Sequence, residues 1–130
     1  MNTHVNIPAG HWAKHIDKAL KACNMKIDVS DVLQMVYSKQ LMFCESNDHR
    51  AFVLLEPVYI APGKLQLHIF CMGGRRESIL ELEKFLCDYG RAVGALKLTA
   101  ITRKGFVASK WWNENTEGWV HPTDFIEKEL

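Results

Sequence analysis

Leu65-Gln66-Leu67-His68-Ile69-Phe70-Cys71-Met72-Gly73-Gly74-Arg75-Arg76-Glu77-Ser78 is the stretch from which the fold is read. From Leu65 to Cys71 the residues alternate, with Leu65, Leu67, Ile69 and Cys71 facing one side and Gln66, His68 and Phe70 the other. A period of two predicts a strand. Gly73-Gly74-Arg75-Arg76 interrupts it, and the period turns helical. Ile79, Leu82, Leu86, Tyr89 and Val93 keep one face apolar until Gly94 ends the run. Leu96 to Thr102 alternates again. Strand, helix, strand over residues 65–102 is a crossover, which predicts two parallel, neighbouring strands.

Toward the N-terminus lie two more strands and two helices. Arg50 to Ile60 is rich in aliphatic and aromatic residues and reads as a buried strand, bent at Pro57; Leu41 to Cys44 is a shorter one. The turns at Glu45-Ser46-Asn47-Asp48 and Ala61-Pro62-Gly63-Lys64 are short enough to make these strands antiparallel neighbours. Between Gly10 and Cys23, Trp12, Ile16, Ala19, Leu20 and Cys23 recur at helical spacing opposite Lys14, Asp17, Lys18 and Lys21. Asp28 or Ser30 caps a second helix striped by Val29, Val32, Leu33 and Val36. Toward the C-terminus, a short helix or turn over Val107–Trp112 and a polar loop lead to closing strands at Trp119-Val120 and within Asp124–Leu130. The expected fold class is α/β: a mixed central sheet flanked by helices, as a single domain over residues 1–130.

Composition narrows the function classes. Sixteen basic and 15 acidic residues leave a net charge of +1, which gives no general field for nucleic acid or an anionic membrane. No apolar run has membrane-spanning length. Cys23, Cys44, Cys71 and Cys87 show neither CxxC spacing nor a Cys/His cluster, and most lie in apolar stretches. With no signal-peptide pattern at Met1–Pro8, the expected location is cytoplasmic.

The order of elements resembles that of the GNAT acyltransferase superfamily, in particular its short members encoded by tailed phages and prophages. The matching stretches are Leu65–Gly74, Asp88-Tyr89-Gly90-Arg91-Ala92-Val93-Gly94, Leu98–Phe106 and Phe125–Leu130. The resemblance implies a GNAT-like fold and use of acetyl-CoA as co-substrate. It also implies a turn, Cys71-Met72-Gly73-Gly74-Arg75-Arg76 to Ser78, that holds the diphosphate, with Arg103 as a further phosphate contact. Family members carry Arg/Gln-x-x-Gly-x-Gly/Ala in this turn; here the second glycine spacing is not met.

A diphosphate requires backbone N–H groups, room for close approach and a helix N-terminus behind it. Gly73 and Gly74 supply room, and Arg75 and Arg76 supply charge. The structural alternative is a helix entry in which Ser78 and Glu81 form a capping box. Acyl transfer to an amine needs a base for the amine and an acid for the departing thiolate. The strands offer Glu56 and His68 as candidate catalytic residues, and no tyrosine follows Tyr89 to serve as the acid usual in the family. Packing accounts better for Cys71 than a nucleophilic role. His11 and His15 lie one helical turn apart without a third ligand, so a solvated pair is preferred to a metal site. Trp111, Trp112 and Trp119 surround a polar loop and either wall an acceptor pocket, form a partner patch or cover the sheet.

Two functions follow. One is an acetyl-CoA-dependent N-acyltransferase acting on a small-molecule or protein amine. The other is a non-catalytic phage protein of the same fold, a virion component or a factor that binds a host protein.

Overall fold

The computed structural model of the chain, which describes residues 2–3, 12–22, 26–101, 114–117, 119–120 and 125–130, places a mixed sheet between two layers of helix. The strands are β1 (Asn2–Thr3), β2 (Met42–Glu45), β3 (Ala51–Ala61), β4 (Lys64–Gly74), β5 (Lys97–Ile101), β6 (Trp119–Val120) and β7 (Phe125–Glu129). Their spatial order is β1-β2-β3-β4-β5-β7-β6. Among the described residues, β4 and β5 are the one parallel pair, joined by helix α3 (Arg76–Ala92) as the 65–102 pattern predicts. The other described pairings are antiparallel. None of the described helices is long and apolar enough to cross a membrane.

Helices α1 (Ala13–Ala22) and α2 (Val29–Tyr37) cover one face of the sheet. Trp12, Ile16 and Leu20 recur every four residues and are buried there, with Val32, Val36, Phe43, Phe52 and Leu54. On the outer face of α1, Asp17 and Lys21 pair at 2.9 Å. Helix α2 starts at Asp28, whose carboxylate accepts from the Asp31 amide while Asp31 accepts from the Asp28 amide.

Helix α3 covers the opposite face. Leu82 and Leu86 are buried against Val53, Leu55, Leu67, Leu98 and Ala100, with Ile79 and Tyr89 at the margin. Val93 does not continue this stripe: the helix has ended at Ala92, and Val93 is exposed. The inner face also holds polar residues that the apolar pattern concealed. Glu83 is buried, meets Lys128 of β7 at 3.7 Å and accepts from the Cys87 thiol at 3.4 Å. Burial, with the Glu83 charge beside it, raises the Cys87 pKa, which keeps this thiol protonated and inert.

Two strand expectations are corrected by the register. Pro57 does not bend β3, because it pairs in sequence with Leu67; the irregularities fall at Leu54/Leu55 and Tyr59/Ala61. At the first, Leu54 opposes Cys71 and Leu55 opposes Ile69, leaving Phe70 as an extra residue on β4. Such a bulge puts consecutive side chains on one side. Phe70 and Cys71 accordingly both pack toward α1 and α2, whereas Ile69 and Met72 pack toward α3. Cys71 is therefore buried, yet on the face opposite Ile69.

Candidate functional site

The bulge at Phe70 decides the geometry around it, because a bulged strand bends away from its former line. Strands β4 and β5 pair at Leu67–Leu98, His68–Thr99 and Ile69–Ala100. Beyond Ile69, β4 continues for five residues paired with β3 while its described pairing to β5 has ended. The described part of β5 ends at Ile101, one residue past its last printed partner of β4. Ligands of open α/β sheets enter at the carboxyl ends of such strands.

One residue, Arg75, separates the end of β4 from α3. It is the N-cap, makes no side-chain capping bond, and donates its amide to the Arg50 carbonyl at 2.9 Å. The expected capping box is not formed. Ser78 is buried and donates instead to Asp48 at 2.6 Å, while Glu81 accepts from the Asn47 amide at 2.8 Å. Both bonds lash the first turn of α3 to the β2–β3 turn. Hydrogen bonds from Ser46 and then Ser78 hold the Asp48 carboxyl down to a pKa of about 2.

These contacts sort the sequence-predicted phosphate residues. Arg75 and Arg76 are exposed at the helix start, with Arg75 3.8 Å from Glu77. Gly74 has a φ of +125°, and a Cβ there would strike the Arg50 carbonyl oxygen and Ala51. Its glycine is required by close approach to β3. A Cβ on Gly73 would sit 3.1 Å from the Phe52 ring. Met72 is half-buried toward α3, and Cys71 is turned into the α1/α2 core. The hydroxyl of Ser78 is committed to Asp48. Of the residues named for a phosphate, Arg75 and Arg76 are thus the ones left exposed at the start of α3. Arg103 lies outside the described residues, as do His11, Cys23, Trp111 and Trp112.

The two candidate catalytic residues are brought together. Glu56 pairs with His68 across β3–β4, and His68 pairs with Thr99 across β4–β5, so the three form one row on the α1/α2 side of the sheet. His68 Nδ1 lies 2.8 Å from Thr99 Oγ1. Where α1 and α2 bury Phe52 and Leu54, this lower part of the same face is left half-open, with Glu56, His68 and Gln66 all partly exposed. Burial lowers the His68 pKa below its usual value, and the Glu56 charge partly opposes that shift. The imidazole is consequently neutral at pH 7 and can accept a proton. The row continues to Glu127 of β7, which Lys97 holds at 2.9 Å. Thr99 was not singled out in the sequence; only the β4–β5 register reveals it.

Strand order, the parallel crossover pair and the Phe70 bulge can be set beside solved structures. A probable acetyltransferase superposes with a TM-score of 0.71 over 94% of this chain and 90% of its own, at 13% identity. GCN5 of Tetrahymena gives 0.58 over 100% and 96%, at 8% identity. A Desulfovibrio desulfuricans protein assigned to the GNAT family of acetyltransferases gives 0.55 over 98% and 96%, at 11% identity.

The fold is the GNAT fold.

No family model matches the sequence, and no curated protein matches it. The GNAT likeness is thus carried by architecture at 8–13% identity. Within that GNAT frame, the other residues named from sequence take structural places. Trp119 packs at the edge of the α3-side core, and His15 is exposed with its ring 5.1 Å from Trp12.

Proposed function

We propose that the chain is a GNAT-like N-acyltransferase that transfers an acetyl group from acetyl-CoA to an amine, either a small molecule or a protein amine. The observation that carries this reading is the row of Glu56, His68 and Thr99 across β3, β4 and β5, two residues before the Phe70 bulge and on the strand that leads into α3. Arg75, Arg76 and the start of α3, at the end of the bulged strand, supply charge and helix amides for the diphosphate. The row supplies a neutral imidazole and a carboxylate where an attacking amine needs a base. Acetyl-CoA contributes the activated thioester; this chain contributes binding, orientation and proton acceptance.

A second reading is favoured by one observation: Gly73, Gly74 and Ser78 are each accounted for by contacts inside the protein. In it, the chain is a non-catalytic protein of the same fold, a virion component of a phage or a factor that binds a host protein.

Thermal melting with CoA and acetyl-CoA, followed by thiol release across an amine panel, separates them. A ligand bound to the folded state alone at a hundred times its Kd adds about 2.7 kcal/mol of stability. The acyltransferase reading predicts a higher melting temperature with acetyl-CoA, a smaller rise in Arg75→Ala/Arg76→Ala, and thiol release with at least one amine. No rise and no thiol would overturn it. A rise without thiol release would favour binding without turnover.

A further inference from the structure

We infer that His68 serves both halves of acyl transfer, taking a proton from the attacking amine at Nε2 and returning it to the departing thiolate, with Thr99 as the positioning residue that fixes its tautomer. This rests on the acyltransferase reading above and deepens it.

His68–Thr99 is a β4–β5 pair two residues before the Phe70 bulge, and the side chains of the pair bond to each other at 2.8 Å. Thr99 is buried, flanked by Leu98 and Ala100 on the other face, so its hydroxyl is fixed in place by packing. A ring nitrogen engaged by a fixed partner sets which nitrogen carries the proton. The inferred arrangement has Nδ1–H donate to Thr99 Oγ1, which leaves the Nε2 lone pair free; the reverse bond, Thr99 O–H to Nδ1, would put the proton on Nε2.

The proton count then closes with one residue. The amine nitrogen bonds to the thioester carbonyl carbon and passes its surplus proton to Nε2, giving an imidazolium. The carbon–sulfur bond breaks, its electron pair leaves on sulfur, and the imidazolium protonates that thiolate. No other acid is required, and His68 ends as it began. Charged groups around the ring suit this cycle. Glu56 of β3 stabilises the imidazolium when it forms. From β5 and β7, Lys97 and Glu127 are paired with each other. The packed face of α1, formed by Trp12, Ile16, Ala19 and Leu20, brings no charge.

Two measurements test the inference. Long-range proton–nitrogen NMR of His68 reads the tautomer without any substrate. The expected result is a proton on Nδ1 in the wild type and in Thr99→Ser, and a shift toward Nε2–H in Thr99→Val. Steady-state rates with an arylamine acceptor, already neutral across the range, read the cycle. His68→Gln should lower kcat about 10²- to 10⁴-fold, Thr99→Val should lower it less, and Thr99→Ser should restore it. The wild-type profile should rise through one ionisation below the usual histidine value and then stay level. A descending limb at high pH, showing a separate acid, or near-normal turnover in His68→Gln would overturn the shuttle. An unchanged tautomer in Thr99→Val would overturn the role of Thr99. Acetyl-CoA turnover that survives His68→Gln leaves the acyltransferase reading standing, whereas a wild type with no turnover removes both.

Discussion

Ser78 and Asp48 lie 30 residues apart and meet at 2.6 Å, a contact that ties α3 to the β2–β3 turn. The Asp48 carboxyl titrates at about 2 in the folded protein, against an ordinary 3.8. A depressed carboxylate pKa stabilises the fold fully above the unfolded value and loses that contribution as pH falls through the folded one. The window here lies between about pH 4 and pH 2. Ser78→Ala should therefore lower the urea midpoint most above pH 4, with the deficit shrinking as pH approaches 2. A deficit independent of pH would mean that the hydroxyl acts through packing alone. The residue types of this neighbourhood were legible in sequence, since Ser78 and Glu81 have capping-box spacing. Their partners were not. Asn47 and Asp48 compete for the same side chains from a distant turn, and only tertiary contact decides which bond forms.

At the level of elements, local chemistry was the readable part. Asp28 opens α2 because its carboxylate satisfies an amide that the helix leaves unpaired, and the reciprocal bond from Asp31 reinforces it. Asp28→Ala is expected to cost about 1 kcal/mol of stability, measurable by chemical denaturation; no change would show that α2 is held by its buried face alone. The change of period from strand to helix and back over 65–102 likewise predicted the parallel pair. The Phe70 bulge was hidden because Phe70 and Cys71 are both apolar, so a shift of face leaves no mark on the alternation. Register is a relation between two strands, and a single strand's pattern does not contain it. The short pairing of Asn2–Thr3 with β2 was missed for the same reason, two residues being too few to show a period.

For the whole molecule, the seven described strands form a sheet that separates two cores, and the Phe70 bulge and the start of α3 lie toward the carboxyl end of β4. Glu56 and His68 were visible as candidates because titratable residues on apolar strands stand out; their alignment with Thr99 came from sheet order. The central claim is that the carboxyl end of β4 receives a thioester whose phosphates rest at the start of α3. Amide chemical-shift mapping during titration with acetyl-CoA tests it most directly. The account predicts saturable shifts concentrated in Phe70–Glu77 and at Ala100–Ile101, with the far end of the sheet around Tyr59–Gly63 unchanged. Shifts confined to other surfaces, or none at millimolar ligand, would contradict it.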